Sequence, residues 1–114
     1  MPNPITLTRQ APRARRFAVE LRCRYRETGT LAWHEGRTTN ISLSGVLFNG
    51  EQVLPPKTEI EMIVTLPVVL RGVRASEIHC RAVIIREQSG RGVGRMPLLA
   101  ASIERCRVVR GSRI

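Results

Sequence analysis

The chain has 114 residues, 42% of them hydrophobic, which allows one domain with a single core and excludes two ordinary domains. No apolar run approaches the roughly 18 residues of a membrane span, and residues 1–6 lack the basic and apolar regions of a signal peptide, so we expect a cytoplasmic protein without membrane insertion. The formal net charge is +10, and Lys57 is the single lysine among 19 basic residues. Because the arginine guanidinium matches phosphate oxygens in a planar fork, this composition favours phosphate-bearing partners.

Residues 1–15 have the composition of a flexible arm. They contain three prolines and a basic cluster that continues to Arg16, with almost no apolar periodicity. A segment with so little apolar surface becomes ordered only against another surface. The sequence therefore predicts a flexible basic arm over residues 1–15, one folded domain over residues 16–110 and a short tail over residues 111–114.

The first predicted strand begins at Phe17. Apolar side chains from Phe17 to Tyr25 alternate with polar ones, among them Arg22 and Arg24. This period of two predicts a half-buried strand with a basic outer face. The Glu-Thr-Gly-Thr stretch at residues 27–30 then supplies a hairpin turn.

Three further strands are predicted in the middle of the chain. The second covers residues 31–41 and carries Trp33, and the third is short, at residues 46–48. The fourth, at residues 59–66, follows two consecutive prolines, which a strand interior would not tolerate.

The last two predicted strands flank a glycine-rich connection. The fifth is long, around residues 78–85, and the sixth covers residues 98–103, with a basic segment from residue 104 that could extend it. The connection at residues 89–94 lacks the Gly-Lys-Ser/Thr ending of a P-loop, so we interpret it as a hairpin loop. No segment shows a helical period, and six short strands with regular turn signals predict an all-β barrel or sandwich.

The stretch Asn-Ile-Ser-Leu-Ser-Gly at residues 40–45 permits two interpretations. Asn40 and Ser42 can bond nearby backbone amides, and Gly45 accepts a positive φ angle, as in a tight turn between strands. The same amide and hydroxyl could instead read the hydrogen-bonding edge of a ligand such as a nucleobase. The hexapeptide alone does not decide between a turn and a binding site.

Residues that carry catalysis or bind metals are sparse. The three cysteines are widely spaced without a CxxC pair, which argues against a zinc site and a disulfide framework, and we expect Cys23 and Cys80 in the core. His34 and His79 have no second histidine or carboxylate at ligand spacing, and the chain contains no aspartate. We therefore expect no enzymatic activity, no metal site and no cofactor.

An arginine-rich arm leads into Arg-Phe-x-Val-x-Leu at residues 16–21 and is followed, about two dozen residues later, by Asn-x-Ser-x-x-Gly; this arrangement resembles the PilZ domain family. The segments at residues 45–48 and 54–60, and a strand that ends at Arg86, also lie where such domains have comparable segments. The resemblance covers residues 9–103. It implies a six-stranded antiparallel β-barrel and, for many members, a receptor role for the bacterial second messenger cyclic di-GMP.

The resemblance also implies ligand-binding residues. In the family, an RxxxR motif at the entry to the barrel wraps phosphates and guanines, and a [D/N]xSxxG motif, matched without departure at residues 40–45, reads one guanine. The first motif departs here: Arg9 and Arg13 fit RxxxR but lie three residues earlier than the strand register predicts, while Arg16 has a proline four residues before it. The implied cyclic di-GMP site consists of Arg9, Arg13, Arg16, Asn40, Ser42 and Gly45.

Three functions remain open at this point. The first and preferred one is a receptor that binds cyclic di-GMP and passes the signal to a protein effector. The second is a degenerate PilZ domain that binds no nucleotide and contacts a protein through the basic outer face of its first strand, a hypothesis that the displaced RxxxR motif favours. The third, a small basic β-barrel that binds nucleic acid, is disfavoured because aromatics are 4% of residues and Phe17, Trp33 and Phe48 lie on apolar faces.

Overall fold

The computed structural model describes residues 17–66, 76–88 and 96–109. The expected arm over residues 1–15, the glycine-rich connection and the expected tail over residues 111–114 lie outside the described residues, as do Arg9, Arg13 and Arg16. The predicted domain boundaries therefore stay predictions.

Six antiparallel strands form a closed barrel. The strands are β1 (Arg22–Glu27), β2 (His34–Ile41), β3 (Gly45–Gly50), β4 (Glu59–Leu66), β5 (Ser76–Gln88) and β6 (Leu98–Val109). Their order around the barrel is β1-β2-β3-β6-β5-β4, and a ladder between β1 and β4 completes the ring. The expected six-stranded antiparallel barrel is confirmed, and the sandwich alternative is excluded.

The alternation of residues in the sequence correctly predicted which faces of β4 and β5 point into the barrel. Side chains that alternate along each strand are buried in the barrel, while their neighbours face outward, as a period of two requires. The buried residues are Ile60, Met62 and Val64 on β4 and Cys80, Ala82 and Ile84 on β5.

Tyr25 fills the centre of the core. Its ring is fully buried and meets the Phe48 ring edge-on, with ring centroids 5.1 Å apart. Its hydroxyl donates to the Gln52 carbonyl at 2.5 Å and accepts the Gln52 N–H at 2.8 Å. Burial raises the pKa of Tyr25 to about 12, so the phenol stays neutral. Gly50 lies so close that an added Cβ would be 2.6 Å from Tyr25 Cζ.

The start of the first strand differs from the prediction. Regular β1 begins at Arg22, and the preceding residues follow β2 through separate contacts. Phe17 and Ile41 exchange two backbone hydrogen bonds of 2.9 and 3.0 Å. Closer to the start of β1, the hydroxyl of the buried Thr38 accepts the Leu21 N–H at 2.8 Å. A side chain thus replaces part of the backbone ladder, which strand alternation cannot reveal.

Two of the three aromatics expected on apolar faces lie outside the core. Phe48 is fully buried as expected, but Phe17 is 57% exposed. Trp33 is half-buried just before β2, which begins at His34 rather than at residue 31. The expectation for Phe17 and Trp33 was therefore wrong.

The cysteines divide as expected into two buried thiols and one exposed thiol. Cys23 and Cys80 lie in the core, whereas Cys106 is exposed. Burial raises the pKa of Cys23 to about 12 and also raises the pKa of Cys80. Both buried thiols therefore behave as small apolar residues rather than as nucleophiles.

The β5–β6 hairpin is the longest ladder of the barrel. It runs from the pair Gln88↔Leu98 to the pair Glu77↔Val109, with two irregularities of register between them. β6 therefore continues past residue 103 into the basic segment that was open to extending the last predicted strand. Among the described residues, no helix is long and apolar enough to cross a membrane.

Candidate ligand-binding site

A β-bulge in β2 turns Asn40 outward. Thr38 pairs with the buried Phe48, but the register then shifts, and Asn40 pairs with Leu47 on the outer face of β3. Without the extra residue, Asn40 would share the inward face of Thr38, two positions earlier. Within the part of the chain that the structure describes, the half-buried Asn40 amide has no hydrogen-bond partner, so both its donor and its acceptor are available.

Ser42 builds the turn between β2 and β3. Its backbone N–H donates to the Gly45 carbonyl at 2.8 Å. Its hydroxyl oxygen accepts the N–H groups of Gly45 at 3.1 Å and Ser44 at 3.2 Å. The serine of the motif therefore has the turn-forming role, and the asparagine is the member whose polar atoms face solvent.

Gly45 lies at a close approach of two strands and has no unusual backbone angle. The positive φ angles in the described residues belong to Gly29 and Lys57, so Gly45 does not adopt the positive φ that a tight turn would use. A Cβ at Gly45 would lie 3.2 Å from the Ala101 carbonyl oxygen, so β6 would have to give by a few tenths of an ångström. A depression in the outer wall lies beside this contact.

That depression is a pocket of about 250 Å³ on the outer wall of the barrel. It crosses β2, β3, β6 and the end of β5, and small side chains of β6 form its floor. The side chains that give it chemical character are Asn40, Ser42, Leu47, Ile85, Arg86 and Ser102. It thus combines an amide, a hydroxyl, a guanidinium and apolar surface.

Arg86 and Ile85 are lining residues that sequence reasoning missed. Another bulge, this one in β5, places Arg86 opposite Ala100. Ile85 is 58% exposed at the rim of the pocket. Alternation along β5 gives no sign of this bulge. No described carboxylate pairs with Arg86, so its charge is available to an anion at the pocket.

Phe17 lies beside the motif. Phe17 bonds to Ile41, which lies between Asn40 and Ser42 in the sequence. Arg16 precedes Phe17 directly in the chain. The roles expected for Arg9, Arg13 and Arg16 fall outside the described residues and stay predictions.

Sequence comparison assigns the family. The family model described as "PilZ domain" matches residues 7–98, most of the chain. The chain belongs to the PilZ domain family. The match includes the whole Asn-x-Ser-x-x-Gly motif and all three arginines of the expected site in this PilZ domain.

A solved structure supports the same fold. The structure titled "Structure of Bacillus subtilis Inhibitor of motility (MotI/DgrA)" superposes on this PilZ domain with a TM-score of 0.67 and 14% sequence identity. The alignment covers 86% of this chain and 44% of that one, so the PilZ domain spans less than half of the Bacillus subtilis chain. At this identity the likeness shows the fold alone. No curated protein has significant similarity to the sequence.

PilZ domains are typically binding and adaptor domains rather than enzymes. The outward amide, the small-residue floor and the nearby guanidinium of this PilZ domain form a surface for hydrogen bonding and charge pairing. The family and the fold together support an adaptor of the PilZ type.

Proposed function

We propose that this PilZ domain is a bacterial cytoplasmic receptor that binds cyclic di-GMP and passes the signal to a protein effector. Asn40, Ser42 and Gly45 form the surface part of the site, and Arg9, Arg13 and Arg16 supply guanidinium groups from the arm. The observation that supports the proposal is the double hydrogen bond between Phe17 and Ile41, because it holds Phe17, which directly follows Arg16 in the sequence, beside the motif.

The pocket chemistry supports recognition of a guanine. The Asn40 amide offers a donor and an acceptor to a base edge, and Ile85 offers apolar surface to its face. Arg86 stands across the pocket, where a guanidinium can pair with guanine O6 and N7 or with a phosphate. These contacts distinguish a guanine nucleotide from an unspecific anion.

The size of the pocket supports a role for the arm. About 250 Å³ is below the range of roughly 300–1,000 Å³ that encloses a whole drug-sized ligand. A cyclic dinucleotide would therefore leave most of its surface outside the pocket. We propose that the arm folds over this exposed part and that the ordered arm presents a new surface to the effector.

The decisive experiment is a calorimetric titration of the full chain with cyclic di-GMP at physiological salt, with GTP as the control. We expect saturable binding of the cyclic dinucleotide alone. Replacing Arg13 and Arg16 together by alanine should weaken it at least about tenfold, because each charge-assisted bond contributes about 1.5–3 kcal/mol. An unchanged affinity would refute the assignment of the arm.

One observation favours the second function, a PilZ domain that binds no nucleotide. The Ser42 hydroxyl is already engaged by two backbone N–H groups, so the motif has a structural task without any ligand. Under this hypothesis the domain is a protein-interaction module only. Absence of any cyclic di-GMP binding in the titration would select it.

A further inference from the structure

A second surface lies on the outer wall formed by β1, β4, β5 and β6. It is an open groove of about 650 Å³, which we name the cationic groove. Its defining side chains are Arg26, Trp33, His79, Arg81, Arg105 and Arg107. The groove shares no lining residue with the pocket at Asn40.

The strand register explains why positive charge collects there. One row across the four strands consists of Arg26, Glu61, Arg81 and Arg105, since each residue pairs with the next. Neighbouring strands lie about 4.8 Å apart, so three guanidinium groups share one short row with a single carboxylate.

The adjacent row repeats the pattern without any carboxylate. It consists of Arg24, Ile63, His79 and Arg107, again in direct register. Glu77 lies beside this row, with its Oε1 3.0 Å from His79 Nε2. Glu77 therefore contacts His79, and it forms no ion pair with the described arginines.

Most of this charge is not neutralised by the barrel. Glu61 accepts from Arg26 Nε at 2.9 Å and from Arg26 Nη2 at 2.7 Å, so its charge is taken up by that arginine. No carboxylate within the described ranges forms an ion pair with Arg81, Arg105 or Arg107. Arg81 lies directly opposite Arg105, an arrangement of like charges that destabilises a sheet unless an anion lies between them.

Trp33 adds an apolar anchor at one side of the groove. The guanidinium carbon of Arg26 lies 4.4 Å from the centre of the Trp33 ring, and that of Arg24 lies 5.3 Å away. Tryptophan and arginine are the residues most enriched at the energetic centres of protein interfaces. The groove therefore has the composition of a protein-binding surface and not only of a charged face.

We propose that the cationic groove docks an acidic segment of a protein partner. Carboxylates of the segment pair with Arg81, Arg105 and Arg107, and an apolar side chain packs beside Trp33. The proposal deepens the effector part of the proposed function and does not depend on nucleotide binding.

The Trp33 ring favours a polypeptide over a nucleic acid strand. Two guanidinium groups already lie over this ring, which leaves it poorly suited to stack on a base.

The test is fluorescence anisotropy of the full chain with a fluorescein-labelled glutamate-rich peptide. A peptide with glutamine at every glutamate and an oligothymidylate of similar length are the comparison probes. In the variant Arg81→Glu/Arg105→Glu we expect the affinity for the glutamate peptide to fall at least about tenfold. Trp33→Ala should lower it as well, about threefold or more.

The matched control is Arg22→Glu/Arg37→Glu. These arginines also pair across neighbouring strands, change the net charge equally and lie outside the groove, and only Arg37 has a carboxylate contact, with its Nη1 3.8 Å from Glu20 Oε2. We expect them to lower the affinity by less than about twofold. Equal losses in both double variants would overturn the proposal in favour of diffuse charge attraction.

Further outcomes separate the alternatives. Tighter binding of the oligothymidylate, lost in the same groove variant, would overturn the proposal and identify a nucleic acid site. If the double groove variant does not fold, Arg107→Gln and Trp33→Ala give the same comparison, and undiminished peptide binding in both refutes the groove. The affinity of these variants for cyclic di-GMP should be unchanged. The nucleotide titration and the peptide titration therefore test the proposed function and the groove separately.

Discussion

Asn40 and Ser42 lie two positions apart in one motif and have different tasks. The bulge before Asn40 exposes an amide that bonds to no described group, whereas the Ser42 oxygen holds two backbone N–H groups. A substitution at one position should therefore affect the ligand, and a substitution at the other should affect the fold as well.

We predict that Asn40→Ala lowers the affinity for cyclic di-GMP without changing the free energy of unfolding. Ser42→Ala should lower both, because two backbone N–H groups lose their acceptor, at a cost of about 1–3 kcal/mol. Urea denaturation and calorimetry on the same samples measure the two effects. Ser44→Ala is the control, since its hydroxyl makes only a long contact of 3.4 Å with Ser42 Oγ. Equal unfolding free energies for Ser42→Ala and the unmodified chain would contradict this division of roles.

At the level of elements, the end of β3 packs closely against the core. Gly50 packs its backbone against the Tyr25 ring, and the Tyr25 hydroxyl is held by two hydrogen bonds to Gln52. A side chain at Gly50 would therefore displace the ring from these bonds. This contact couples β3 to β1 through the core.

We predict that Gly50→Ala destabilises the barrel by about 1–3 kcal/mol, the usual cost of overpacking a well-filled core. The midpoint of urea denaturation should fall while the slope stays constant. Asn49→Ala, on the outer face of the same strand, should change the unfolding free energy by less than about 0.5 kcal/mol. A Gly50→Ala protein as stable as the Asn49→Ala protein would show that the ring can move aside.

Strand periodicity explains how much of these elements could be predicted. The bounds of β4 and the buried residues Cys80 and Ala82 follow directly from a period of two, because sheet faces alternate without exception in a regular ladder. The bulges that orient Asn40 and Arg86 could not be predicted, since they add a residue without any composition signal. Arg86 was therefore missed as a lining residue of the pocket.

The motif itself was found through its family resemblance rather than through its chemistry. Its sequence is compatible with an ordinary turn, and Ser42 does form one. The alternating position of Phe17 predicted burial, but Phe17 is exposed. The segment after it is held partly by the Thr38 hydroxyl, which bonds Val19 and Leu21. A hydrogen bond in which a side chain replaces a backbone group depends on which residues meet in the folded chain, so the sequence pattern does not reveal it.

For the whole molecule, three buried weak acids link stability to alkaline pH. Burial raises the pKa of Cys23 from 9.0 to about 12, raises that of Tyr25 from 10.0 to about 12 and raises that of Cys80. Above pH 9 the unfolded thiols lose protons that the folded thiols keep. The stability that these groups contribute is therefore complete below pH 9 and is lost as the pH rises towards 12.

We predict that the free energy of unfolding falls above pH 9, by up to about 1.4 kcal/mol per pH unit for each buried thiol. Urea denaturation at a series of pH values between 8 and 10.5 measures the slope. Cys23→Ala should be less stable at neutral pH but lose stability less steeply on the alkaline side. A flat profile for the unmodified chain would show that the thiols ionise without unfolding.

The unequal lengths of the ladders around β6 have a consequence for self-association. The ladder to β3 stops at Gly45↔Ser102, while the ladder to β5 continues to Glu77↔Val109. No strand that the structure describes covers the other side of this last stretch of β6, which is thus a sheet edge on which a second copy could add a strand. Arg105 and Arg107 stand along that edge, and two copies aligned there would repel each other. Neutralising Arg105 and Arg107 would weaken this repulsion between copies.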